Sequence, residues 1–242
     1  DYQESYCSIV ISHSYGTLYI VSTPIGNLKD ITYRAVEILS SVDLIAAEDT
    51  RHSNKLLKHY NIATPSISFF EHNRSARIPQ IITNLMKGNH VAVISDAGTP
   101  GISDPAYKLI RKAIEEEITV ESIPGPTALI AGIVSSGLPT DRILFEGFLP
   151  PKKGRKKRLL NLIDQDATII FYESPHRLIK TLKEINEVLG DRPAVVAREL
   201  TKMNEEIIRG TVSYILSYFN NKKPRGEFVI MIGKNNDNVF FK

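Results

Sequence analysis

Among its 242 residues the chain carries a single cysteine, Cys7. One thiol cannot build an intrachain disulfide framework or a cysteine-based zinc site, and Cys7 reads as an unremarkable thiol rather than a catalytic one. No apolar stretch reaches the ~18 residues of a membrane span. Residues 1–15 lack the apolar core and basic start of a signal peptide, and the start at Asp1 rather than Met reads as trimmed or offset. A soluble cytosolic protein is expected. Neither G-x-G-x-x-G nor G-x-x-x-x-G-K-[ST] occurs, which counts against dinucleotide and nucleoside triphosphate enzymes. His13, His52, His59, His72, His90 and His176 show no close ligand spacing, so no metal is implied. There is no internal repeat. The net charge of +3 is too small to declare a polyanionic partner by itself.

What is present is a series of Gly- and Pro-bearing turns, each after a short apolar run. They are Ser22-Thr23-Pro24-Ile25-Gly26-Asn27-Leu28, Ser95-Asp96-Ala97-Gly98-Thr99-Pro100, Pro124-Gly125-Pro126-Thr127 and Tyr172-Glu173-Ser174-Pro175-His176-Arg177. Gly and Pro force tight turns and let backbone approach a ligand. In open α/β sheets the ligand crevice lies outside the carboxyl ends of the strands. Several such turns suggest one composite pocket.

The first half alternates strand-like runs (17–21, 44–47, 66–70, 90–94, 119–123) with helical spacing. Asp30 is a candidate cap for a helix bearing Ile31, Ala35, Ile38 and Leu39 on one face. This alternation predicts an α/β fold with a largely parallel sheet. After Gly137-Leu138-Pro139 the strand candidates (143–148, 168–172, 194–198, 206–209, 228–232) come closer together, which suggests a mixed sheet. The expected organisation is an N-terminal extension over 1–15, one α/β domain over 16–139 and a second over 140–242, with the boundary near 138–142. The end of the chain, 235–242, reads as polar and frayed, with Val239 to Phe241 able to dock.

The turns suit a ligand without phosphates. S-adenosylmethionine is such a ligand, with an adenosine, a carboxylate and a sulfonium. Asp96 could serve its ribose hydroxyls or cation, or could simply make an Asx turn before Gly98. Glu48-Asp49-Thr50-Arg51-His52 and Glu71-His72-Asn73-Arg74 each follow an apolar strand. Either could be ordinary helix capping, or acidic and basic groups placed to position a hydroxyl and move its proton. Lys152, Lys153, Arg155, Lys156, Lys157 and Arg158 put six basic residues in seven positions. They fit a solvated linker or a sequence-independent phosphate contact. With no aromatic inside the run, base stacking there is not expected.

These motifs together resemble the bacterial 16S rRNA (cytidine-2′-O)-methyltransferases of the small ribosomal subunit, within the tetrapyrrole methylase superfamily. The matching blocks are 16–28, 43–52, 95–100, Ile102-Ser103-Asp104-Pro105, 137–142, Phe145-Glu146-Gly147-Phe148-Leu149-Pro150, Phe171 to Arg177 and Arg198-Glu199-Leu200-Thr201-Lys202, in a resemblance running from about Gly16 to Gly233. The resemblance implies a two-domain tetrapyrrole-methylase-like (class III methyltransferase) fold, with S-adenosylmethionine in a cleft between the domains, usually in a homodimer. It implies cofactor contacts from Pro24, Ile25, Asp96, Ala97, Gly98, Thr99, Pro100, Gly125, Pro126, Thr127 and Ala128. Phe171, Tyr172, Glu199 and Leu200 would contribute from the second domain. The 48–52 and 71–73 blocks would face the RNA. A small C-terminal extension frequent in such proteins has no counterpart here, nor does the stretch before Gly16 match.

The implied partner is 16S rRNA within the small subunit, with no membrane. Glu48 or Glu71 is the candidate base for the 2′-hydroxyl, with Arg51 and His72 orienting the ribose and its phosphate. A methyltransferase of the same fold acting on a tetrapyrrole or a protein, and a non-catalytic ribosome-binding factor, remain alternatives.

Overall fold

The structure is a computed structural model describing residues 14–235 and Phe241. Cys7, His13, Val239 and the expected extension up to residue 13 lie outside the described residues. The chain forms two compact units. The first holds residues up to Ser22 and Thr32–Pro124, the second Thr23–Ile31 and Gly125 onward. The sequence places the boundary at 138–142. The fold divides the chain after Pro124 instead, because the helix that follows is committed to the second unit's sheet.

In the first unit five strands run parallel in the order β3-β2-β4-β1-β5. They are β1 (Leu18–Val21), β2 (Leu44–Ala47), β3 (Ser66–Ser68), β4 (Val91–Ile94) and β5 (Val120–Ile123). Helices α1 (Tyr33–Ser41), α2 (Thr50–His59), α3 (Arg74–Met86) and α4 (Ala106–Glu115) connect them. All four residues of β4 are buried, as expected for a central parallel strand covered on both faces. The cap of α1 is Thr32, whose hydroxyl accepts from the Ala35 N–H at 3.1 Å. Asp30, expected in that role, sits in a short 3-10 turn over Leu28–Asp30. Thr32 wins because it immediately precedes the helix, where its hydroxyl reaches the otherwise unpartnered N–H of Ala35 three residues on.

In the second unit the order is β6-β7-β10-β8-β9. The strands are β6 (Ile143–Phe148), β7 (Thr168–Glu173), β8 (Pro193–Arg198), β9 (Glu206–Thr211) and β10 (Phe228–Ile232). Only β6 and β7 are parallel; the remaining pairs are antiparallel, which makes the mixed sheet. Helix α5 (Ala128–Ser136) packs on one face, where Ile133 joins Ile170, Val195, Val229 and Met231. Ile25, from the separate 23–31 segment, and Phe241 join the same cluster. Helices α6 (Arg155–Leu160), α7 (Leu178–Leu189) and α8 (Val212–Asn221) cover the other face, over Phe171, Ile169, Val196 and Ile230. Among the described residues no helix is long and apolar enough to cross a membrane.

Candidate functional site

In the first unit every strand leaves the sheet at the same edge, because all five are parallel. The β2 exit lies between the β3 and β4 exits in the strand order. Glu48 follows β2 and Asp96 follows β4, and the two form a reciprocal clasp. The Asp96 N–H donates to Glu48 Oε2 at 3.2 Å, and the Asp49 N–H donates to Asp96 Oδ1 at 3.0 Å. Burial pushes the Glu48 carboxyl above the ordinary range; the Asp96 N–H opposes this, and the negative charges of Asp96 and Asp104 add to it. Asp104 is itself raised by burial, although the N–H groups of Gly101 and Ala106 both donate to it. It shapes the turn after β4, where Gly98 and Gly101 both adopt positive φ. The buried Ser22 hydroxyl, at the β1 exit, lies 2.8 Å from the Thr99 hydroxyl of that turn.

Beside this clasp, Asp49 caps α2 through the Arg51 N–H at 2.8 Å. The same carboxylate takes the Arg51 guanidinium at 3.1 Å (Nε) and 2.9 Å (Nη2). These interactions hold Asp49 down to about 2. Capping and charge placement are thus one arrangement here. In the other block Glu71 pairs with the nearby Arg74, while His72 is exposed with its ring 6.2 Å from Phe70. Asn73 accepts from the Phe70 N–H at 2.9 Å and donates to the Ser68 carbonyl at 3.1 Å, which fixes the β3 exit.

In the second unit the 23–31 segment docks against the turn after β8. The Asn27 N–H donates to Thr201 Oγ1 at 3.1 Å. A Cβ on Gly26 would stand 2.4 Å from Lys202 Cγ, so only glycine permits the approach. Pro24 is buried. Ile25 and Leu200 share one apolar cluster, with Ala128 and Tyr172 against it. The Tyr172 hydroxyl accepts from the Leu129 N–H at 3.0 Å, which pins the β7 exit to the start of α5; Thr127 is the N-cap of that helix. Burial raises the Tyr172 phenol. Glu199, at φ 50°, is bound through its carboxylate by the Glu227 N–H at 3.0 Å and Lys202 Nζ at 2.9 Å. Phe171 is fully buried in the cluster under α7 and α8. Its ring is on the face opposite Tyr172, so only its backbone is left for a ligand.

The basic run divides. Lys152, Lys153, Lys156 and Lys157 are exposed. Arg155 is a correction to the expected phosphate-contacting set: it is 4% exposed and bound internally. It donates to Thr181 Oγ1 at 2.6 Å and to the Pro150 carbonyl at 3.2 Å, and pairs with Glu184. Thr181 in turn donates to the buried Glu173 at 2.6 Å. Arg158 pairs with Glu146 and is half exposed. The signal for Arg155 is its helical phase, since Leu159 at i+4 is buried on the same side. Among the described residues no three His, Cys, Asp or Glu side chains group as metal ligands.

Residues 17–215 match the Tetrapyrrole (Corrin/Porphyrin) Methylases. The chain belongs to the tetrapyrrole methylase family. It is 52% identical to the Ribosomal RNA small subunit methyltransferase I of Synechocystis sp., covering 90% of this chain and 78% of that one. It is 48% identical to the protein of the same name from Thermotoga maritima, covering 90% and 98%. Among solved structures it resembles a cobalamin biosynthetic enzyme, cobalt precorrin-4 methyltransferase, with TM-score 0.69 and 20% identity over 90% of this chain and 94% of the other. That likeness carries the fold. The two-unit α/β architecture is therefore that of a tetrapyrrole methylase, and the family is one of methyltransferases.

Proposed function

We propose that this chain transfers a methyl group from S-adenosylmethionine to the ribose 2′-oxygen of a cytidine in 16S rRNA of the small ribosomal subunit. We further propose that it acts in the cytoplasm as a homodimer. The near-full-length match to relatives named for ribosomal RNA small subunit methylation carries the reading. The clasp at the β2 and β4 exits supports it.

The donor set fits the cofactor chemically. It offers backbone groups of tight turns, one partly buried carboxylate and apolar or aromatic surface, with no phosphate loop. The first unit would contribute Asp96 to Pro100. The second would contribute Pro24, Ile25, the 125–128 backbone, the Phe171 backbone, Tyr172, Leu200 and the Glu199 backbone. When bound, S-adenosylmethionine supplies a methyl group already activated on a sulfonium, so the protein's task is alignment and proton handling.

Glu48 is the better candidate base of the two. Burial makes its carboxylate more basic than an ordinary one, whereas Glu71 is more than half exposed and paired with Arg74. Glu48 would accept the 2′-hydroxyl proton, directly or through water, as the oxygen attacks. Arg51, held in a fixed fork by Asp49, would meet the adjacent phosphate, and His72 would orient the ribose. The four exposed lysines would attract the RNA backbone.

The test is transfer of labelled methyl from S-adenosylmethionine to small subunits lacking the modification, with the labelled nucleotide mapped. Label on a cytidine 2′-oxygen is the expected result. Label only on a tetrapyrrole or a protein, or tight cofactor binding without any turnover, would overturn the reading.

A further inference from the structure

Phe148 ends β6 as a residue 53% exposed, although it is a large aromatic. A lone exposed apolar residue is ordinary; the backbone that presents this one is not. The register between β6 and β7 shifts between Phe145 and Gly147, and Gly147 takes φ 62°. Before the shift Phe145 pairs with Ile170; after it Gly147 pairs with Phe171 and Phe148 with Tyr172. One extra residue thus turns Phe148 onto the face of Phe145 and Tyr172. Without it Phe148 would stand opposite the buried Glu173, over α7. The Phe148 ring is then held edge-on to Tyr172 at 5.7 Å, and Tyr172 edge-on to Phe145 at 4.9 Å. Tyr172 cannot swing away, because its hydroxyl accepts from the Leu129 N–H.

Of the charge nearby, Glu146 is paired with Arg158 and mostly covered, which leaves the exposed lysines beyond the strand. Lys152 and Lys153 follow four and five residues later, both exposed, so Lys152 Cα lies within about 14 Å of Phe148 Cα by chain length alone. A braced, half-open aromatic ring beside exposed cations is the combination that unpaired RNA requires. The ring stacks on a base of any sequence while the cations follow the phosphates. A duplex, whose bases are already stacked, has no use for the ring.

We propose that Phe148 is a stacking platform for an unpaired nucleobase of the RNA substrate, with Lys152 and Lys153 on the neighbouring phosphates. The inference rests on the rRNA reading above and adds to it that the engaged segment is single-stranded. It also supplies the aromatic that the basic run itself lacks.

The test is binding of a short unstructured cytidine-rich RNA and of a blunt RNA duplex by fluorescence anisotropy across a salt series. Cofactor affinity is followed by calorimetry. Phe148→Ala and Phe148→Leu should weaken single-strand binding by about 5- to 100-fold, with duplex binding and the slope of affinity against salt unchanged. Phe148→Trp should restore it, and cofactor affinity should stay at the wild-type value in all three. Unchanged single-strand affinity in Phe148→Ala overturns the proposal. So does an equal loss on duplex, a loss of cofactor affinity that places the ring in that site, or a change of oligomeric state that places it against a second copy. If wild-type protein methylates subunits while Phe148→Ala keeps its KM, only the platform fails. If wild-type protein leaves subunits unlabelled, the rRNA reading fails on its own.

Discussion

In the first unit five parallel strands discharge their chains at one edge, and the polar groups there are partly open: the Glu48–Asp96 clasp, the Asp49–Arg51 fork and the 96–104 turn. In the second unit three antiparallel pairings send neighbouring strands in opposite directions, so only β6 and β7 run side by side in the same sense. One polar constellation there is closed: Arg155 holds Thr181 and Glu184, and Thr181 holds Glu173, under α6 and α7. Similar residue types therefore serve different ends. Glu48, at a parallel-sheet exit, keeps a raised pKa and an approach from outside. A carboxylate inside the closed network is consumed in holding a helix. On the proposed reading, charge at the first site serves chemistry, whereas charge at the second is committed to structure.

The sharpest way to break this comparison is Glu48→Gln. Glutamine keeps an oxygen for the Asp96 N–H but cannot take a proton, so methyl transfer should fall about 10²- to 10⁴-fold with cofactor affinity intact. Stability should move the other way. Because the folded pKa is raised, the ionised carboxylate costs stability that is absent below its unfolded pKa and appears as pH rises through the folded one. At neutral pH the variant should melt at or above the wild-type temperature. For the same reason, the acid limb of the wild-type pH–rate profile should lie above the ordinary carboxylate range. A variant that melts early and reacts normally would make Glu48 scaffold and erase the distinction.

Arg155→Ala probes the opposite pole. It takes the guanidinium from Glu184 and the Thr181 hydroxyl, while Glu173 keeps Arg177. The loss should be about 3 kcal/mol, the low end for breaking a buried pair, because Glu184 is partly exposed and keeps Lys180. The denaturant midpoint should drop accordingly. Changing Lys152, Lys153, Lys156 and Lys157 together to Ala should leave that midpoint in place. It should flatten the dependence of log affinity on log salt by about 0.7 for each phosphate no longer neutralised, as for a single strand. If the lysine variant unfolded and the Arg155 variant did not, the division of the basic run would be reversed.

Much of the fold is legible in the residues. Alternating apolar runs and helical spacings locate the strands and helices within a few positions, because each is a local pattern. The turns after β1, β4, β5 and β7 are visible for the same reason. Other features are harder to see. The period of two along β7 separates Phe171 from Tyr172, although the family resemblance implies both as cofactor contacts; alternation alone parts them. Arg155 shares a helical face with Leu159, but a run of like charges draws it into the phosphate-contacting set. The attachment of 23–31 to the second unit depends on Gly26 meeting the 200–202 turn, where Asn27 and Thr201 are 174 residues apart in the chain. Nothing local encodes it. The β6 bulge is of the same kind, since Phe145-Glu146-Gly147-Phe148 fits either register until β7 is beside it.

The smallest expected effect tests whether a cap and a charge clamp can be separated at one residue. Asp49→Asn retains the side-chain oxygen that accepts the Arg51 N–H, so α2 should start where it does now and the neutral-pH melting temperature should barely change. Asp49→Ala removes the acceptor and should lower it slightly. The two variants should agree, however, in acid. Asp49 is held to about 2 by the Arg51 guanidinium and N–H. Its contribution to stability is therefore present above the ordinary carboxylate pKa and lost as pH falls toward about 2. Both variants should show a shallower loss of denaturant midpoint below about pH 4 than wild type. Arg51, freed in each, should lose its share of RNA affinity, with Lys at position 51 a poor substitute because an ammonium cannot reproduce the planar fork. If Asp49→Asn kept full RNA affinity, Asp49 would be a helix cap alone, and the first unit's edge would hold one less group set aside for the substrate.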